Sequence, residues 1–188
     1  MDITPLPLYS ERLNLRRLSP RDLAEFQAYR TDPEIARLQG WSMQSDEVSL
    51  AFLKEMSQAD FFVPGQWFQL GVALRGSDQL IGDIGVCVQE DEQAAEIGFS
   101  IHGAHHSKGY GTEAVGLAIG YIFGASQASR IIAYADVRNI ASWRVLEKVG
   151  MHRLGTRTCE YKGEVCDEHM YELIHSPGGR CVMSTCTS

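Results

Sequence analysis

Hydrophobic residues recur every three or four positions in the N-terminal third of the chain and every second position in its middle. Leu13 and Leu15 alternate with polar residues, which predicts a first strand. Ser19-Pro20 then predicts the start of a helix, and Asp32-Pro33 predicts its end. A short turn at 34–38 is expected to follow. Ser45 predicts the next helix start. The predicted helical stripes are Leu23, Phe26 and Tyr29, followed by Val48, Phe52 and Met56.

From Trp67 onward the alternation predicts an antiparallel meander, with strands over 67–74, 80–88 and 94–101. The order then changes to a helix at 115–123, a strand at 130–137, a helix at 140–149 and strands at 153–161 and 167–174. A helical crossover predicts that the strands it joins are parallel. We therefore expect one α+β domain over residues 1–175, with a mixed and mostly antiparallel sheet. The tail at 176–188 lacks periodicity and is expected to be disordered.

Composition narrows the function classes. Apolar residues make up 44% of the 188-residue chain and charged residues 22%, as in ordinary globular proteins. The net charge of −7 disfavours nucleic acid and anionic membranes as partners and suits an amine-bearing one. We expect no signal peptide, no membrane span and, for five irregularly spaced cysteines, reduced thiols. These features predict a cytoplasmic protein, either a monomer or a homodimer.

The segment at 96–123 organises the rest of the chain. It is predicted to form a strand, a glycine-bearing loop and a helix that begins near Gly109 and Gly111. Free backbone N–H groups at a helix start bind anions, and glycines allow a phosphate to approach them closely. The segment therefore predicts a pyrophosphate site.

Gly116, Gly120 and Gly124 recur every four residues and form a stripe along the predicted central helix. Each costs about 1 kcal/mol of helix propensity relative to alanine. Either the sheet or another helix approaches this stripe closely, or the packing simply tolerates the glycines. The sequence leaves both explanations open.

Two motifs resemble the GCN5-related N-acetyltransferase (GNAT) superfamily. One is His106-Ser107-Lys108-Gly109-Tyr110-Gly111, and the other runs from Asn139 through Ser142 to Glu147-Lys148-Val149-Gly150. The opening at 11–16 and the Asp32-Pro33-Glu34 turn are similar to the branch that acts on ribosomal-protein N-termini. The resemblance spans about residues 9–175. It implies a splayed sheet flanked by helices, acetyl-CoA as co-substrate and no metal.

The resemblance also implies which residues hold the acyl donor. They are Ile101, His106, Ser107, Lys108, Gly109, Tyr110, Gly111, Thr112, Asn139 and Ser142. His106 stands where the family has Gln or Arg, and Ser107 where it usually has Gly. Serine tolerates positive φ less well than glycine, so the cofactor affinity is expected to fall, with Lys108 compensating in part as a point charge.

Acetyl transfer to an amine needs a base, an oxyanion donor and a proton for the departing thiolate. Glu96 is the leading candidate base, acting through water, with Asp167 and Glu160 as weaker alternatives. Ser142 is expected to protonate the thiolate, because the tyrosine that many relatives carry four residues later is replaced here by Leu146. A backbone N–H at 99–101 is the expected oxyanion donor. Two simpler explanations remain open. Glu96 could be only an exposed acid at the end of a strand, and the Ser142 hydroxyl could only bond back to a helix carbonyl.

The acceptor is less well specified. Trp41 is expected to contact it, whereas most of the other aromatic residues at 61–68 are expected to be core. The acceptor is predicted to be a protein N-terminal α-amine, with a small amine as the alternative and a non-catalytic acyl-CoA sensor as a third possibility. Two residue sets could suggest a zinc site, but neither has the spacing of a zinc finger. They are His102, His105 and His106, and Cys159, Cys166 and His169. No thiol lies in either motif, so direct attack by the amine is expected.

Overall fold

A computed structural model describes residues 6–39, 41, 44–161 and 163–176, and within them one eight-stranded sheet has the order β1-β2-β3-β4-β5-β6-β8-β7. The strands are β1 Leu8–Tyr9, β2 Leu13–Arg17, β3 Trp67–Leu74, β4 Leu80–Val88, β5 Ala94–Ile101, β6 Arg130–Asp136, β7 His152–Tyr161 and β8 Glu164–Ile174. The helices are α1 Leu23–Arg30, α2 Pro33–Ala36, α3 Asp46–Gln58, α4 Tyr110–Ala125 and α5 Ile140–Lys148. The expected tail falls almost wholly outside the described residues.

The sheet confirms the predicted α+β class. Strands β1 to β5 form an antiparallel meander, β5 and β6 pair in parallel across the α4 crossover, and β6, β8 and β7 are again antiparallel. Helix α4 begins five residues earlier than the hydrophobic pattern indicated, directly after Gly109. The sequence reading missed β1, because its two residues are too few to show an alternation.

Strands β5 and β6 separate before either one ends. Their register runs from Ala94 opposite Arg130 to Ile97 opposite Ala133 and stops there, although both strands continue. We call the gap between residues 98–101 and 134–136 the β5–β6 wedge. A wedge of this kind exposes backbone groups that a continuous ladder would have paired.

Helices cover both faces of the sheet. Helix α4 contacts the face that carries Phe68, where Tyr121 meets Phe61 and Phe62, and these two rings in turn contact Phe68. Helix α1 covers the opposite face, where Arg30 reaches Asp83. Helix α3 buries Ser49, Leu53 and Met56, so the predicted α3 stripe was wrong at Val48, which is half exposed. None of the helices in the described ranges is both long and apolar enough to cross a membrane.

The glycine stripe of α4 faces open space. A Cβ built on Gly116, Gly120 or Gly124 meets no atom within 4 Å among the described residues. No described element approaches these glycines closely. Of the two explanations left open by the sequence, the described chain supports the second, in which the packing simply tolerates these glycines.

Gly120→Ala is expected to stabilise the protein by about 0.5–1 kcal/mol, because alanine is the better helix former and its methyl group has room. Urea unfolding of the variant measures this. Gly109→Ala is the control and is expected to destabilise, since Gly109 has φ of +81°. A loss of stability in Gly120→Ala would mean that another molecule covers this face.

Candidate active site

The predicted anion site lies at the start of α4. Gly109 is the N-cap, has φ of +81° and makes no side-chain capping hydrogen bond. A Cβ at this position would lie 3.3 Å from Arg12 Nη2, so both conformation and space favour glycine. The N–H groups of the first helical turn are thus left without a side-chain cap beside an open cleft, which is the arrangement that binds phosphate.

The loop before α4 is held by its own side chains. His106 Nε2 lies 2.7 Å from the Ile101 carbonyl oxygen, and because a carbonyl only accepts, Nε2 carries the proton. Lys108 Nζ donates to the Ala104 carbonyl at 2.9 Å. Ser107 has φ of +60°, the conformation for which glycine is better suited. His106 therefore shapes the loop, and the Lys108 ammonium is engaged within it.

A contact that sequence reasoning missed ties this loop to the N-terminal strands. Arg12 Nη1 donates to the Lys108 carbonyl at 2.9 Å, and Arg12 Nε donates to Glu113 Oε2 at 2.7 Å. Ser10 Oγ donates to Glu113 Oε1 at 2.7 Å. Burial alone would raise the pKa of Glu113, but the hydrogen bonds from Ser10 and Arg12, together with the Arg12 charge, hold that pKa below its usual value. Arg12 and Glu113 thus clamp the start of α4.

Helix α5 carries the second motif. Asn139 is its N-cap, and Asn139 Oδ1 accepts from the Ser142 N–H at 3.1 Å, as asparagine does at this position in many helices. A Cβ on Gly111 would lie 3.3 Å from Val145 Cγ2, so Gly111 permits α5 to pack closely against the start of α4. The two motifs are thereby brought together.

Two clefts of about 630 Å³ each meet at the β5–β6 wedge. The loop cleft lies between the α4 start and α5, and the sheet cleft lies over β3, β4, β5, β6 and β8. The residues common to both are Leu38, Gln39, Phe99, Ser100, Arg138, Asn139 and Ser142. Ser142 therefore stands at the junction.

Nine of the ten residues predicted to hold the acyl donor line the loop cleft. The exception is Lys108, because its ammonium turns back to Ala104. Arg144 and Lys148 also line this cleft and were missed. They lie four residues apart on α5 and so share one helical face, a spacing that could have revealed them.

Backbone alternation exposes N–H groups at the junction. His102 N–H donates to the Ile81 carbonyl and Gln89 N–H to the Ala94 carbonyl, so the even-numbered residues of β5 bond to β4. The odd-numbered residues therefore point towards β6, which has separated beyond Ile97. The N–H groups of Phe99 and Ile101 consequently face the wedge, where an oxyanion donor was expected.

Glu96 lies in the sheet cleft and is half buried. Burial raises the pKa of Glu96, the Arg157 guanidinium opposes that shift, and Glu168 adds to it. Glu168 is 4% exposed and accepts from Arg157 Nη2 at 2.9 Å, while Arg157 lies 3.6 Å from the Tyr134 ring centroid. Glu96 is thus a carboxylate whose basicity is increased by its surroundings.

The weaker base candidates lie elsewhere. Glu164, Cys166 and Glu168 line the sheet cleft, so the intervening Asp167 faces away and accepts from Thr158 Oγ1 at 2.8 Å. Glu160 is opposite Val165 and therefore also faces away. Sequence reasoning missed Glu168 because the predicted start of the last strand did not show which of its residues would face inward.

A model of the acetyltransferase (GNAT) domain matches residues 12–152 of the chain. The chain belongs to the GNAT acetyltransferase family. Its sequence is 28% identical over 170 residues to the uncharacterized N-acetyltransferase p20 of Bacillus licheniformis, covering 89% of this chain and 95% of that protein.

Solved structures agree with this assignment. A GNAT-family acetyltransferase from Bacillus anthracis is 27% identical, with a TM-score of 0.80 over 90% of this chain and 98% of the other. The ribosomal-protein-S5-alanine acetyltransferase of Vibrio fischeri is 20% identical, with a TM-score of 0.73 over 90% and 97%. At this level of identity, the similarity to the V. fischeri protein shows a shared fold and nothing more.

In this acetyltransferase two tryptophans line the sheet cleft. Trp41, for which contact with the acceptor stays a prediction, is stacked 4.3 Å from the Arg30 guanidinium. Trp67 is 46% exposed in the same cleft, so it is a second exception among the aromatic residues. Phe61, Phe62 and Phe68 belong to the core, as expected.

The zinc alternatives find no support in the described ranges, where no three His, Cys, Asp or Glu side chains are grouped to hold a metal ion. His102 Nδ1 accepts from the Ala104 N–H, and His169 Nδ1 lies 3.1 Å from Thr156 Oγ1. Cys159 and Cys166 are free thiols with sulfur atoms 3.2 Å apart.

Glu113→Gln is expected to destabilise the protein at pH 7 by about 1 kcal/mol, after allowing for solvent screening of the partly exposed Arg12. Because the pKa of Glu113 is lower in the folded state, its contribution is present above about pH 4.3 and is lost as the pH falls through the folded-state value. Unfolding curves of both proteins from pH 3 to 7 test this. A difference that stays constant with pH would contradict the clamp.

Proposed function

We propose that this protein transfers an acetyl group from acetyl-CoA to a primary amine, with a protein N-terminal α-amine as the acceptor. The observation that carries the proposal is the meeting of the two clefts at Ser142. One cleft ends in an uncapped helix start suited to a pyrophosphate, and the other contains a half-buried carboxylate suited to an amine.

The loop cleft has the features that hold the acyl donor. The first-turn N–H groups of α4 serve the pyrophosphate, and Arg144 and Lys148 supply positive charge on the opposite wall. The donor provides a thioester, whose C–S bond breaks as the N–C bond forms. The N–H groups of Phe99 and Ile101 are placed to stabilise negative charge on the carbonyl oxygen.

Glu96 accepts the proton of the ammonium acceptor, directly or through one water. The amine attacks only when deprotonated, and a base is most effective when its pKa lies near the working pH. Burial shifts the pKa of Glu96 in that direction. The negative charge of Glu96 attracts the ammonium group of the acceptor, although the Arg157 guanidinium, which also binds Glu168, offsets part of that charge.

Ser142 supplies a proton to the departing thiolate and regains one from the attacking nitrogen, which loses a proton as the amide forms. It lines both clefts, and the Asn139 cap fixes the backbone from which it projects. Leu146, where many relatives have tyrosine, is buried and cannot donate a proton. The serine hydroxyl one turn earlier is the nearest helical substitute.

A screen of acetyl transfer over peptides and small amines tests the acceptor class. We expect peptides with free N-termini to be acetylated and their N-blocked counterparts to be inert. The V. fischeri protein of the same fold is a ribosomal-protein-S5-alanine acetyltransferase, which supports a protein N-terminus as the acceptor. Acetyl transfer to small amines but not to peptides would show that the acceptor is a small amine. Binding of acetyl-CoA without transfer to any amine would indicate a non-catalytic sensor.

Glu96→Gln is expected to lower kcat/KM by about 10²-fold or more, the usual contribution of a general base. The acid limb of the wild-type pH profile should lie above about pH 4.3 and be absent in the variant. Since the pKa of Glu96 is higher in the folded state, its ionisation costs stability as the pH rises, so the variant should be more stable at pH 7. Steady-state kinetics and thermal unfolding measure both effects.

The matched control is Glu90→Gln, at an exposed acid in the turn that precedes β5. It should leave kcat/KM and its pH profile unchanged. Full activity in Glu96→Gln would exclude Glu96 as the base.

Ser142→Ala is expected to lower kcat about ten- to a hundredfold, the loss associated with a hydrogen bond to a charged group. Its affinity for acetyl-CoA, measured by calorimetry, should change little. Ser57→Ala is the control, because Ser57 is a partly exposed helix serine outside both clefts whose Oγ donates to the Lys54 carbonyl. Equal turnover in the two variants would show that Ser142 is only a helix serine.

A further inference from the structure

A row of two glycines and one glutamine crosses the floor of the sheet cleft. Gln69, Gly85 and Gly98 are directly opposite one another on β3, β4 and β5, and therefore share one face. A Cβ built on Gly98 meets no atom within 4 Å, whereas one on Gly85 would lie 2.7 Å from Gln69 Nε2. The floor is thus open at Gly98 and covered at Gly85 by the Gln69 amide.

Larger side chains border this row on both sides. Trp67, Cys87 and Glu96 form the next row towards one end of the strands. Asp83 and Ser100 lie in the row on the other side, where Arg30 binds Asp83 and Trp41 stacks on Arg30. The result is a channel across the strands that begins beside Glu96 at the wedge and ends beside Trp67.

The length of this channel matches a short extended peptide. Adjacent strands are about 4.8 Å apart, so the path from β5 to β3 is about 10 Å. An extended chain advances about 3.3 Å per residue, so three residues span it. A small amine would occupy only the end beside Glu96.

We propose that this channel binds the first three residues of a peptide acceptor, with the α-amine beside Glu96, the second residue over Gly98 and the third against Trp67. This inference rests on the proposed acetyl transfer and specifies its acceptor. Gly98 is the specificity-determining residue, because the absence of a side chain there leaves room for the peptide backbone.

The polar groups along the channel suit a peptide. The Gln69 amide offers both a donor and an acceptor, as a peptide bond requires. Trp67 is 46% exposed and provides an apolar surface for the third side chain. Glu96 places negative charge at the end that receives the ammonium group.

Gly98→Val is the test, measured with free N-terminal tripeptides and with one-residue amines such as an amino acid amide. The variant should fold at least as stably as the wild type, since valine favours strands and its Cβ has room. Its KM for the tripeptide should rise about ten- to a hundredfold, as when extra methyl groups are forced into a filled site. Its affinity for acetyl-CoA, and its KM for the one-residue amine, should stay near those of the wild type.

Gly76→Val is the matched control. Gly76 lies in the β3–β4 turn, and a Cβ there also meets no atom within 4 Å. This variant adds the same side chain outside the cleft and should leave every kinetic constant unchanged.

Three outcomes are decisive. An unchanged tripeptide KM in Gly98→Val would overturn the channel while leaving acetyl transfer intact. A wild type that acetylates one-residue amines as efficiently as tripeptides would also overturn it. Failure of the wild type to acetylate any amine would instead overturn the proposed function.

Discussion

The separation of β5 from β6 is the constraint on which the site depends. A sheet normally pairs the backbone groups of its inner strands, yet here pairing stops at Ile97 and Ala133 while both strands continue. The unpaired stretch turns the N–H groups of Phe99 and Ile101 into available donors and opens the space in which the two clefts meet. Gln39 Nε2, which donates to the Phe99 carbonyl at 3.3 Å, satisfies an acceptor that β6 no longer reaches.

The open helix start at Gly109 depends on tertiary contacts as much as on its glycines. The helix start is open because Gly109 has no side-chain cap, and it is held in place by Arg12, which is 101 residues away from Glu113 in sequence. Ser107 adopts φ of +60° within this loop, a conformation in which a non-glycine residue is disfavoured by about 1 kcal/mol or more. The Arg12 clamp and the His106–Ile101 hydrogen bond offset that cost.

The sheet cleft combines buried charge with open space. Asp83, Asp136 and Glu168 are each paired with an arginine, which satisfies their charges within the fold. Glu96 is the carboxylate whose pKa burial raises, so it destabilises the folded state at neutral pH while becoming a better base. A buried carboxylate with a raised pKa is common at positions where the residue is retained for function rather than for stability.

The sequence by itself determined the order of the elements after β1, the glycine loop at the start of α4 and the family, because these features depend on local periodicity and on motifs contiguous in the chain. Glu96, Ser142 and Trp41, which the sequence suggested for the chemistry and for acceptor contact, all line the clefts, while their roles remain predictions. Only the tertiary structure decided that Lys108 turns away, that Glu168 rather than Asp167 faces the cleft, and that Arg12 clamps the loop. The physical reason is that pairing between segments distant in the chain decides which face of a strand each side chain occupies, the register of the strands and the long-range hydrogen bonds. No local sequence pattern contains this information.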